Sequence, residues 1–130
     1  MTNATMRSSL AAIAMFAATT TFAYAAPPTQ TVATLKGPAL ADPKGMTLYT
    51  FDKDSDRKSA CSGPCAGNWP ALKAENGDKP ADGYTVITRE DGAKQWAYKG
   101  KPLYTFVKDR NAGDINGDGF LNGAWHIAKP

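Results

Sequence analysis

The chain has 130 residues, of which 42% are hydrophobic and 21% charged, an ordinary balance for a globular protein. Fifteen Lys and Arg against twelve Asp and Glu leave a formal charge of +3, too weak a bias for a nucleic-acid footprint. Two cysteines and one histidine leave little material for a metal or redox centre.

Residues 1–25 read as an export signal. Arg7 supplies a positive start, Leu10 to Phe22 is apolar apart from threonines, and Ala23-Tyr24-Ala25 has the small-x-small pattern of a cleavage site. The apolar run is short of the roughly 20 residues that a membrane span needs. No cysteine precedes Cys61, so no lipid attachment site lies near the cleavage point. The expected product is residues 26–130, a periplasmic or secreted chain with no stable membrane anchor. Loss of Arg7 brings its formal charge from +3 to +2. Its length suits one small domain.

After a proline-containing lead, Thr31–Leu35 reads as a strand, Gly37-Pro38 as a turn and Ala39–Asp42 as a weak strand. Pro43-Lys44-Gly45 turns the chain into Met46–Phe51, a further strand. Asp52–Ser59 is charged, lacks apolar periodicity and reads as a loop. Cys61-Ser62-Gly63-Pro64-Cys65 follows, then Trp69-Pro70, where the proline holds Trp69 extended. Ala74–Gly83 is polar and rich in turn residues. Tyr84–Arg89, Lys94–Tyr98 and Leu103–Val107 form a three-strand meander, turned at Glu90-Asp91-Gly92 and at Lys99-Gly100. Arg110–Asn122 is dense in Asn, Asp and Gly, and Ala124–Ala128 closes the chain as a strand. No helical periodicity longer than a turn follows the signal.

The chain repeats itself. Leu48-Tyr49-Thr50-Phe51-Asp52-Lys53-Asp54 recurs as Leu103-Tyr104-Thr105-Phe106-Val107-Lys108-Asp109. Lys44-Gly45 matches Lys99-Gly100 at the same offset, Gly37 matches Gly92, and Trp69 falls one residue out of step with Trp125. The expected fold is therefore a small all-β domain of antiparallel sheets, built from two copies at about residues 37–72 and 92–127. Tyr49 and Phe51 share one strand face, as do Tyr104 and Phe106, and these aromatics read as core. A ligand groove lined by them is the alternative. Asp54 and Asp109 sit just past their strands, where a carboxylate closes a turn by accepting backbone N–H bonds.

In an exported chain, Cys61 and Cys65 imply one disulfide, and Gly63-Pro64 between them argues against a helix there, so that the segment folds back and closes. The alternative is a redox or copper site formed by these two sulfurs and His126. Asp114-Ile115-Asn116-Gly117-Asp118-Gly119 matches the opening of a calcium loop, with Asp114, Asn116 and Asp118 as oxygen donors. The match ends there, because Trp125 stands where a bidentate glutamate belongs; an Asx-rich turn is the other reading. Lys94, Lys99, Lys101, Lys108 and Arg110 read as a solvated, edge-guarding face, against a patch for an anionic partner. Catalytic motifs are missing: there is no Gly-x-Ser-x-Gly, His-Glu-x-x-His or phosphate loop.

The two copies of Tyr-x-Phe-x-x-Asp resemble a bacterial family of secreted repeats, the predicted lipoproteins with a Tyr-x-[Phe/Trp/Tyr]-x-x-Asp motif. Cys61 to Pro70, Gln95 to Tyr104 and Gly117-Asp118-Gly119 are similar to further segments of that family. The resemblance covers nearly all of residues 26–130. It implies an envelope or secreted protein and no established activity. The chain departs from the lipoprotein members in lacking a lipidation cysteine. Together these readings predict a non-enzymatic binding or structural module with an envelope or extracellular ligand. The alternative is a periplasmic redox or copper-handling protein.

Overall fold

A computed structural model describes residues 27–130; the signal-peptide expectation falls outside them. The described chain runs β1 (Gln30–Thr34), β2 (Gly37–Ala41), β3 (Tyr49–Phe51), α1 (Pro64–Asn68), β4 (Tyr84–Thr88), β5 (Lys94–Tyr98), β6 (Lys101–Pro102), α2 (Phe120–Gly123) and β7 (Trp125–Ile127). All strand pairs are antiparallel: β1 with β2, β3 with β7, and β4-β5-β6 as a meander. The fold is thus all-β, with two short helices of five and four residues.

The two copies are interleaved. Tyr49 and Tyr104 face each other across an approximate two-fold axis: each backbone N–H donates to the other's carbonyl, at 2.8 and 3.0 Å. This doubly bonded antiparallel pair joins the two motif strands. The tail of each copy then closes the sheet of the other. Leu72 N–H donates to the Leu103 carbonyl and Ala128 N–H to the Leu48 carbonyl, both at 2.8 Å. In return the Leu72 carbonyl accepts from Trp96 at 2.9 Å, and that of Ala128 from Leu40 at 2.8 Å. Neither copy completes its hydrogen bonding alone.

Strand alternation sends side chains to two cores. Tyr49, Phe51, Tyr104 and Phe106 enter one, with Trp69, Trp125 and Ile127. Leu48 and Leu103 point the opposite way, into a second core with Leu40, Leu72, Tyr84 and Trp96. The four motif aromatics are 0–8% exposed, so they are core and not the walls of an open groove.

Three local expectations are corrected. The first turn lies at Leu35-Lys36, with Gly37 starting β2 at φ +92°, because Thr34 accepts the Lys36 N–H and bonds the Gly37 carbonyl. The meander's third strand is only Lys101–Pro102: past it, Tyr104 crosses to Tyr49, and Thr105 N–H goes to the Pro70 carbonyl. Gly63-Pro64 does not keep the cysteine segment out of a helix. Gly63 makes the bend, at φ +57°, and proline fits a helix's first turn because its missing N–H would have no partner there.

Candidate functional site

The two motif copies exchange their polar groups. The phenol of Tyr49 donates to Asp109 Oδ2 at 2.5 Å, and that of Tyr104 donates to Asp54 Oδ2 at 2.7 Å. Each motif's tyrosine therefore bonds the aspartate of the other copy. The second oxygen of each carboxylate closes its own loop: Asp54 Oδ1 accepts Ala60 N–H at 2.7 Å, and Asp109 Oδ1 accepts Asn116 N–H at 3.0 Å. The turn-closing role expected of these acids is present, and the cross-copy phenol adds to it. Burial is the main influence on all four groups. It raises the pKa of Asp54 and of Asp109 above the usual carboxylate value and moves both phenols well above the ordinary tyrosine value.

Between the two locks the tryptophans stack, Trp69 on Trp125, with centroids 3.7 Å apart and planes within 3°. Phe51 stacks on Trp125 and Phe106 on Trp69, both at 4.2 Å. The one-residue slip between Trp69 and Trp125 is taken up in the loops before them, and α1 and α2 occupy corresponding places.

The two locks have different surroundings. Tyr49 accepts Gly117 N–H at 3.3 Å, and a side chain at Gly117 would meet the Trp69 ring at 2.5 Å. Tyr104 pairs with the Ser59 hydroxyl at 2.6 Å, and Ser59 accepts from Arg89 at 3.0 Å. Arg89 is 8% exposed and also donates to Gln95 Oε1 at 2.7 Å and to the Cys61 carbonyl. A buried cation and a carboxylate are thus connected through two hydroxyls, Arg89 to Ser59 to Tyr104 to Asp54. Sequence reasoning missed Ser59, Arg89 and Gln95, which lie outside the repeated motif and have no counterparts in the other copy.

Cys61 and Cys65 are joined in a disulfide with Cα atoms 5.2 Å apart, and Cys61 is fully buried. His126 is apart from that role: its Nε2 pairs with Asp52 Oδ2 at 2.7 Å. Asp114, Asn116 and Asp118 serve the fold. Asp114 Oδ2 accepts N–H bonds from Arg110 and Asn111, which hold its carboxyl below the usual range. Asp118 Oδ1 accepts Ile127 N–H at 3.1 Å, and Lys36 reaches Oδ2 at 2.5 Å. Burial works to raise the Asp118 pKa, and these two bonds outweigh it, so the net direction is down. Asn116 contributes its N–H to Asp109. Among the described residues, no group of three or more His, Cys, Asp and Glu side chains is placed to hold a metal ion.

A family model described as a secreted repeat of unknown function matches residues 30–73 and again residues 85–129. The chain belongs to this family. Each match contains one motif strand and its tryptophan, so the secreted repeat is also the unit of the interleaved fold. Comparisons with curated proteins and with solved structures gave no match. Among the described residues of this secreted repeat protein, no helix is long and apolar enough to cross a membrane.

Proposed function

We propose that the protein is an exported, non-enzymatic module that binds or braces a component of the bacterial envelope from the periplasm or the medium. The observation that carries this reading is the use made of the motif. The two phenols and two carboxylates have partners inside the fold, in reciprocal pairs between the copies. Groups locked in this way supply architecture, and contact with other molecules falls to the loops and strand edges. Membership of a secreted family supports the exported setting, as does the disulfide, which an oxidising compartment maintains.

The test has two parts. Intact mass of protein from its native host is expected to show a chain starting at Ala26 without acyl groups. Affinity capture from envelope extract, with metal analysis of the purified protein, is expected to recover a partner and no stoichiometric metal. Tight copper binding after mild reduction, or a disulfide potential in the oxidoreductase range, would instead support the redox reading through Cys61, Cys65 and His126.

A further inference from the structure

The internal repeat provides its own control: where the copies share backbone but differ in side chains, the fold does not dictate the difference. One such divergence surrounds a cleft of about 430 Å³ between β3, the β5–β6 turn and the end of β7. Lys99, Lys101, His126 and Lys129 line it, together with Thr50 and Tyr98. At the corresponding places of the other half, Met46 replaces Lys101, Pro70 replaces His126 and Val107 replaces Asp52. The strand pairing that presents His126 opposite Thr50 has its counterpart in Thr105 bonded to Pro70, so the frame is retained; Thr50, Lys99 and Lys129 recur as Thr105, Lys44 and Lys73, while Lys101, His126 and Asp52 belong to this half alone.

Charge is unevenly distributed in this cleft. None of Lys99, Lys101 and Lys129 forms a salt bridge among the described residues, whereas Asp52 is taken by His126. The Lys99 ammonium lies 5.0 Å from the centre of the Tyr98 ring, which positions it at the rim. A second cleft of about 380 Å³ adjoins the first and shares Thr50, Asp52, Lys99 and Lys101 with it. Its far wall has the opposite character, with Asp54, already bonded to Tyr104 and Ala60, and with Ser55 and Asp56. Gly100 makes room for that wall, since a side chain there would collide with the Asp56 carboxylate.

We propose that this two-part cleft binds the phosphate ester of a polyhydroxylated compound. Compact lysine charges suit a phosphate group; a planar carboxylate is better matched by the forked guanidinium that this cleft lacks. At the other end, Ser55 and Asp56 accept hydrogen bonds from hydroxyl groups, which an acidic wall favours over a second anion. Either volume falls in the range of small-molecule sites. The source could be a soluble ester or the headgroup of a lipid, and both present the same chemistry. The proposal rests on reading the chain as a binding module and names the ligand class for it.

The test is backbone NMR of the exported protein, titrated with glycerol 1-phosphate, inorganic phosphate and glycerol. Glycerol 1-phosphate is expected to shift amides of Thr50, Lys99–Lys101 and 126–129, with inorganic phosphate binding more weakly and glycerol not at all. Lys99→Ala, Lys101→Ala and Lys129→Ala combined should weaken binding about tenfold or more without altering the melting temperature. Asp56→Asn should reduce the preference for the ester over inorganic phosphate. Sedimentation with phosphatidylglycerol vesicles, abolished by the triple variant, would identify a lipid headgroup; soluble binding alone would identify a free ester. No shift in the cleft, an equal response at Lys44 and Lys73, or an unaffected triple variant would overturn the proposal. A captured partner that still binds the triple variant would remove this inference and leave the binding-module reading in place.

Discussion

Tyr49 and Tyr104 bear the most direct consequences at the scale of single residues. Tyr49→Phe leaves Asp109 Oδ2 and the Gly117 N–H without their partner, and Tyr104→Phe leaves Asp54 Oδ2 without one. Each substitution is expected to destabilise by about 1–3 kcal/mol, measured by denaturant unfolding. The same phenols set the alkaline limit. Their folded pKa values lie above the unfolded value of about 10, so above that pH the unfolded chain releases protons that the fold retains. Stability is then lost as pH rises past 10, and the double Phe variant should show a flatter decline. The sign is also clear for Asp54 and Asp109. Burial raises their folded values above the unfolded carboxylate value, so their ionisation disfavours the fold. Their contribution improves as pH falls toward about 4, and they do not drive acid unfolding. Melting curves between neutral pH and pH 4 of wild type and Asp54→Asn would check this. Gly117→Ala tests packing: its added carbon would meet the Trp69 ring at 2.5 Å and Tyr49 at 3.1 Å, and a loss of about 1–3 kcal/mol is expected.

At the scale of elements, the cysteine loop and the acidic loop occupy corresponding places before α1 and α2 and are closed by different means. The disulfide closes the first, and the Cys61 carbonyl is additionally held by Arg89. Replacing both cysteines by serine should lower stability by about 2 kcal/mol on the chain-entropy model while leaving the fold intact. In the second loop, Asp118 ties Lys36 of the β1–β2 turn to the N–H of Ile127 in β7. Calcium would have to compete with these bonds. Melting with calcium, with magnesium and with chelator is expected to coincide, whereas Asp118→Ala lowers the midpoint in all three. A calcium-dependent rise confined to wild type would restore the metal reading of Asp114, Asn116 and Asp118.

For the molecule as a whole, the interleaving makes the halves one cooperative unit. They are joined by an exposed stretch from Glu75 to Pro80, while Leu72, Trp96, Leu103 and Ala128 carry the reciprocal pairing. A protease site engineered at Lys79 should allow cleavage without separation of the pieces. The nicked protein is expected to elute at its original size and to dissociate only in denaturant; separation under native conditions would contradict the interleaved arrangement. Trp125→Ala should affect both halves together, because Trp125 stacks on Phe51 and Trp69 of the other copy. A loss of about 3–5 kcal/mol in a single transition is expected.

The sequence by itself determined the repeat, the all-β class, the burial of Tyr49, Phe51, Tyr104 and Phe106, and the turn-closing place of Asp54 and Asp109. These follow from local rules: strand alternation, aromatic burial and the preference of Asp for turns. Tertiary structure alone decided which copy each group serves. Tyr-x-Phe-x-x-Asp looks like one local unit, yet its phenol bonds the acid of the other copy, because Tyr49 and Tyr104 pair across the axis. The same holds for Arg89, Gln95 and Ser59, distant in sequence and brought to one buried hydroxyl network. It holds too for the cleft, where Thr50, Lys99, His126 and Lys129 come from three separate segments. Local pattern specifies which face of a strand is buried; only the closing of each sheet by the opposite copy specifies what that face meets.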